Sequence, residues 1–164
     1  MTPLPISLPK TRPETVGRPM QILLVEDSLP AARLAMGCLR HSPLRHALTW
    51  VRDGAEAMRF LDRRGEYRQA PRPDIVLLDL RLPQVDGQEV LERMRSHEDR
   101  PVRELPVVVM TASEDEADQR HAAELDVQAY LPKPLDVGRF LDVVQELKDY
   151  WRADMVLPDA ECVA

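Results

Sequence analysis

The stretch Asp74-Ile75-Val76-Leu77-Leu78-Asp79-Leu80-Arg81-Leu82-Pro83 decides how the rest of the chain reads. From Ile75 to Leu78 it is an unbroken apolar run with β-branched members, after which come an acid and, four residues on, a proline. Such a run is a strand buried on both faces that stops at its carboxyl end. In an open parallel sheet that end borders the crevice where ligands bind. Taken alone, Asp79 reads first as a strand-terminal residue capping a turn. The two readings part on whether other strands bring polar groups to the same edge.

Upstream, Ile22-Leu23-Leu24-Val25 forms another buried run and ends in Glu26-Asp27-Ser28. Pro30 suits the first turn of a helix, and Ala31, Leu34, Ala35, Cys38 and Leu39 fall at helical spacing on one face, so Cys38 reads as packing. A second strand is expected over Ala47 to Val51. Asp53 with Glu56 three residues later is a capping-box spacing that opens a helix running to about Leu61. The stretch from Arg63 to Pro73, with Gly65, Pro71 and Pro73, reads as a loop.

Downstream, Asp86 and Glu89 repeat the capping signal and start a helix with Val90, Leu91 and Met94 inward. Val107 to Met110 is a fourth buried strand ending in Thr111-Ala112-Ser113, and Ser113 with Glu116 opens a fourth helix. Val127 to Leu131 is a fifth strand leading to Pro132-Lys133-Pro134, and a last helix is expected from about Asp136 to Tyr150. Five strands alternating with five helices give an α/β fold, a parallel sheet covered on both faces and joined by right-handed crossovers.

At 164 residues the chain suits one domain, here expected over 20–151, with a Pro-rich arm at 1–19 and a tail at 152–164. A net charge of -6 supplies no basic excess to displace counterions, which argues against direct nucleic-acid binding. Two cysteines at opposite ends of the chain, with no Cys-x-x-Cys pair, suit free thiols in a reducing compartment. No export signal or membrane-spanning run stands out, so a cytoplasmic protein is expected. His41, His46, His97 and His121 show no metal-ligand spacing and are expected to be solvated.

The strand ends carry the functional signal. The first ends in Glu26 and Asp27, the third in Asp79, the fourth in Thr111, and the fifth leads to Lys133. In a parallel sheet all of these lie on one edge, so three carboxylates, a hydroxyl and an ammonium would share one crevice. Crowded carboxylates raise one another's pKa unless a divalent cation neutralises them, and oxygen-only ligation suits Mg²⁺.

Val25-Glu26-Asp27, Asp79-Leu80-Arg81-Leu82-Pro83 with Asp86-Gly87, Thr111-Ala112, and Tyr130 three residues before Lys133-Pro134 together resemble the receiver domain of two-component response regulators. The match covers about residues 20 to 150. The insertion from Gly65 to Asp74 and the aromatic end of the last helix are similar to the small single-domain regulators that work with bacterial phytochromes. The resemblance implies a flavodoxin-like sheet of order 2-1-3-4-5. It implies Asp79 as acceptor of a phosphoryl group from a sensor histidine kinase, with Lys133 and Thr111 contacting the phosphoryl oxygens. Mg²⁺ would be held by Asp27 and Asp79, by Glu26 through water, and by the Arg81 carbonyl.

The same resemblance implies switching through Thr111 and Tyr130 across the face made by the fourth helix, fifth strand and fifth helix, and a cis Lys133–Pro134 bond. Val143, Leu147 and Tyr150 add apolar surface to the last helix, from which a homodimer through that face is expected. A phosphate-independent adaptor of the same fold is the alternative reading. A dehalogenase-type phosphatase would want an acid where Arg81 stands. A dinucleotide binder would want glycines where Asp27-Ser28-Leu29-Pro30 stands.

Overall fold

The computed structural model describes residues 18–112 and 116–147. Its five strands are β1 (Met20–Val25), β2 (His46–Val51), β3 (Ile75–Asp79), β4 (Val107–Thr111) and β5 (Ala129–Pro132). All pair in parallel, in the order β2-β1-β3-β4-β5. The central strands β3 and β4 are buried at every residue, which is why they read as continuous apolar runs rather than alternating ones.

Alternation still sorts their side chains between two cores. Ile22, Leu24, Ile75, Leu77, Val108 and Met110 face one; Leu23, Val25, Val76, Leu78, Val107 and Val109 face the other. The first core is closed by α1 (Leu29–Arg40) and α6 (Val137–Glu146). The second is closed by α2 (Gly54–Leu61), α3 (Gly87–Arg95), α4 (Arg100–Arg103) and α5 (Glu116–Glu124). Each large aliphatic side chain so buried contributes about 1.5–3 kcal/mol.

Among the described residues six α-helices stand where five were expected. The extra one, α4, is a single turn entered through Pro101, whose fixed φ favours the first helical turn that the sequence reading treated as connection. The expected fourth and fifth helices are therefore α5 and α6. The loop after α2 also contains a turn of 3-10 helix, Gly65–Tyr67. Tyr67 packs edge-on against Phe60 with ring centroids 5.2 Å apart.

The caps follow the sequence. Ser28 accepts from the Ala31 N–H, Asp53 from Glu56, Asp86 from Gln88 and Asp136 from Arg139. Ser113 and the Tyr150 end of the last helix lie outside the described residues, as do residues 1–17 of the arm. Arg18 is already fixed to the body, its guanidinium gripping both oxygens of Asp74 at 2.8 and 2.9 Å.

Three expectations about faces are corrected. On α1 the inward residues are Ala32, Ala35 and Leu39, whereas Leu34 is 57% exposed, because the buried stripe is rotated by one residue from the expected one. On α6, Val143 is buried in the first core and Leu147 packs against it, so neither is the surplus apolar surface from which a homodimer was argued. His97 and His121 are not simply solvated: His97 Nε2 lies 2.6 Å from Asp62 Oδ1, and His121 Nε2 lies 2.8 Å from Glu92 Oε2. Among the described residues no helix is long and apolar enough to cross a membrane.

Candidate functional site

The carboxyl edge of the sheet gathers the acids. β1 delivers Glu26 and Asp27, and the neighbouring β3 delivers Asp79, so that carboxylate oxygens of all three lie within 4.8 Å of one another. Glu26 and Asp79 are almost wholly buried, at 1% and 2% exposure, while Asp27 faces solvent. Charged groups are rarely buried unless something pairs them.

The pairing comes from the end of β5. Lys133 Nζ sits 2.6 Å from Glu26 Oε1 and 2.8 Å from Asp79 Oδ2. Its backbone N–H donates to the Thr111 carbonyl at 3.1 Å, and the Lys133–Pro134 peptide bond that turns the chain here is cis, as expected. The other oxygen of Asp79 accepts from the Arg81 N–H at 3.0 Å, and the other oxygen of Glu26 accepts from the Ser28 N–H at 3.1 Å.

Electrostatics follow the imbalance of three carboxylates against one ammonium. Burial, with the charge of Asp79 adding to it, pushes the Glu26 carboxyl above the usual carboxylate range even though Lys133 and Ser28 pull it down. Burial alone would lower the Lys133 ammonium, but its bonds to Asp79 and Glu26 outweigh that and hold it above its ordinary value. The cluster carries more negative charge than its own residues neutralise. Its donors are all oxygen, with no histidine or cysteine among them, so a hard divalent cation fits.

Thr111 is buried at the end of β4, one residue past Met110, which pairs with Asp79. Tyr130 lies below the rim, paired with Val109 and half-buried against the second core. The edge thus collects the carboxylates of Glu26, Asp27 and Asp79, with Lys133 bridging Glu26 and Asp79, and Tyr130 stands one layer lower. The Arg81 side chain turns away to an ion pair with Asp118 on α5.

Sequence reasoning passed over three supports of the site. Trp50 on the edge strand β2 donates its indole N–H to the Glu26 carbonyl at 2.7 Å. Gly87 lets the start of α3 press onto the end of β3: a Cβ there would stand 2.2 Å from the Asp79 carbonyl oxygen. Asp118 is the third. Nothing local in the sequence marks Trp50 or Asp118, whereas Asp86-Gly87 was legible as a helix start without its second role.

Comparison with known proteins points the same way. The family model for the response regulator receiver domain matches residues 22–145. Response regulator Rcp1 from Synechocystis sp. is 42% identical over 142 residues, covering 87% of this chain and 95% of Rcp1. Among solved structures, the phosphorylated cyanobacterial phytochrome response regulator RcpA is 38% identical with a TM-score of 0.68, over 87% of this chain and all of that one. The bacteriophytochrome response regulator AtBRR is 35% identical with a TM-score of 0.72, over 87% and 99%. Rcp1 has also been solved in a Mn²⁺-bound form, at 41% identity and a TM-score of 0.67, over 86% of this chain and 100% of that one.

Proposed function

The chain belongs to the response regulator receiver domain family, and from that premise we propose that Asp79 accepts a phosphoryl group from a sensor histidine kinase in a Mg²⁺-dependent reaction. The observation that carries the reading is the Lys133 ammonium wedged between two buried carboxylates while a third stands at the solvent side. An Asp79 oxygen forms a bond to phosphorus as the P–N bond to the donor imidazole breaks, the imidazole leaving with the electron pair. A divalent cation held by Asp27, Asp79, the Arg81 carbonyl and, through water, Glu26 would neutralise charge on the entering oxygens.

This chain's own residues do the rest. Lys133 moves from balancing two carboxylates to pairing with a phosphoryl oxygen, and the Thr111 hydroxyl donates to another. The Arg81 N–H, already on Asp79 Oδ1, holds the carboxylate in a fixed orientation. Loss of the Thr111 hydroxyl from its resting position makes room for Tyr130, which alters the face of α5, β5 and α6 and, through it, self-association as a homodimer. The names of RcpA and AtBRR support a kinase that is a bacterial phytochrome, and a cytoplasmic setting goes with such a partner.

The test is transfer of radiolabel from the kinase phosphohistidine to the chain in Mg²⁺. Wild type is expected to label and Asp79→Asn to take up none; label retained on Asp79→Asn would place the acceptor elsewhere and overturn the reading. Beryllofluoride binding in Mg²⁺ offers a second readout through Trp50, made selective in a Trp151→Phe background. A phosphate-independent adaptor would leave that fluorescence unchanged.

A further inference from the structure

Helix α5 is held to the body in an unusual way for its length. Of its nine residues only Ala122 is buried, so hydrophobic burial contributes little to its position. A polar seam along α3 takes its place. From the carboxyl edge downward, Arg81 Nη2 donates to Asp118 Oδ2, and Gln88 Nε2 stands 3.5 Å from Asp118 Oδ1. His121 Nε2 then meets Glu92 Oε2 at 2.8 Å, and Arg95 donates to the carbonyls of Leu125 and Asp126 at 2.7 and 3.1 Å.

The top of this seam is tied to the phosphoacceptor. Arg81 is two residues past Asp79, and its backbone N–H already binds the Asp79 carboxylate at 3.0 Å. Its side chain is 57% exposed and so has room to reorient, whereas the Asp118 side chain it grips is only 18% exposed. A phosphoryl group carries about two negative charges and three acceptor oxygens, against the single charge of Asp118. Guanidinium binds phosphate in a fork geometry and strongly.

The geometry points to the Arg81–Asp118 pair as a charge-operated latch that couples occupancy of Asp79 to the docking of α5, with Asp118 as the positioning residue. The inference rests on the reading of Asp79 as phosphoacceptor. Phosphorylation draws Arg81 off Asp118 toward the phosphoryl oxygens. The upper seam opens while His121–Glu92 and Arg95 keep the lower end in place, so α5 swings about its carboxyl end. This route acts through the exposed rim and runs beside the Thr111–Tyr130 exchange rather than through it.

Hydrogen exchange over residues 116–124 of the full chain, with and without beryllofluoride in Mg²⁺, tests the latch, and Trp50 fluorescence reports occupancy independently. Wild type is expected to exchange two- to fivefold faster once occupied, about what a partly screened ion pair supplies. Asp118→Asn should start fast and show no further rise although Trp50 reports binding. Arg81→Gln should behave alike. Glu92→Gln cuts the lower seam, so it should exchange faster yet keep the response. An Asp118→Asn chain that binds beryllofluoride and still gains the wild-type increment would overturn the latch. Wild type that shows no binding at all would instead overturn the phosphoacceptor reading, and the latch with it.

Discussion

The two edges of the sheet handle charge in opposite ways. At the amino edge, Asp74 receives both guanidinium nitrogens of Arg18 and the Gln21 N–H at 2.7 Å. Close by, Arg95 spends its fork on four carbonyls, those of Arg103, Leu105, Leu125 and Asp126, at 2.7 to 3.1 Å. Each half-buried charge there meets partners that the fold itself supplies. At the carboxyl edge, three carboxylates share one ammonium, and the surplus is left for something from outside. Both edges are polar and partly buried. The amino-edge charges are completed by their neighbours, and the incomplete ones at the carboxyl edge are the candidates for function.

The largest expected effect lies at the completed edge. Arg95→Ala strips donors from four carbonyls that tie the end of α3 to the entries of β4 and β5. Bonds to charged groups are worth about 1.5–3 kcal/mol, and orphaned acceptors add their own penalty. A loss of about 3 kcal/mol in urea unfolding is expected, and it should be the same in Mg²⁺ and in chelator. A loss that Mg²⁺ repairs would mean the two edges are not separate.

At the incomplete edge the sign reverses. Asp27→Asn relieves repulsion among like charges, so the metal-free protein should gain up to about 1 kcal/mol, the scale of partly exposed charge interactions. On the proposed metal site the same change removes a ligand, so a rise in melting temperature is expected for wild type in Mg²⁺ by mass action and should largely vanish in the variant. Thermal melts in chelator and in Mg²⁺ read both. An Asp27→Asn chain that melts lower in chelator would show that this edge is as internally balanced as the other.

Most of this contrast was legible before the structure. Buried parallel strands announce themselves as apolar runs, and a parallel sheet puts all their ends on one side, so Glu26, Asp27, Asp79 and Lys133 could be grouped from strand arithmetic alone. Side-chain partners beyond one element could not. The Arg81–Asp118 pair joins residues 37 positions apart, and Trp50 reaches Glu26 across 24; neither follows from any local period. Val143 shows the opposite failure: helical spacing placed it outside, but the first core wraps far enough around α6 to bury it. The short helix α4 was missed because one turn carries no periodicity.

The smallest expected effect concerns a completed pair outside both edges, in the loop after α2. Tyr67 donates its hydroxyl to Glu56 Oε2, and Glu56 Oε1 accepts from the Arg52 N–H at 3.0 Å. Burial, followed by the bond to Glu56 and its negative charge, pushes the Tyr67 hydroxyl up to about 12 from an ordinary value of 10.0. Between those values the folded chain keeps a proton that the unfolded chain releases. The stability this pair confers is therefore complete below pH 10 and is lost as the pH rises through about 12. Tyr67→Phe removes the hydroxyl but keeps the ring on Phe60, so at neutral pH it should cost about 1 kcal/mol. Above pH 10 the variant should lose stability less steeply than wild type, and the phenolate absorbance difference between the two should titrate near 12. If that difference titrates at the ordinary tyrosine value, Glu56 does not complete Tyr67, and the loop is held by ring packing alone.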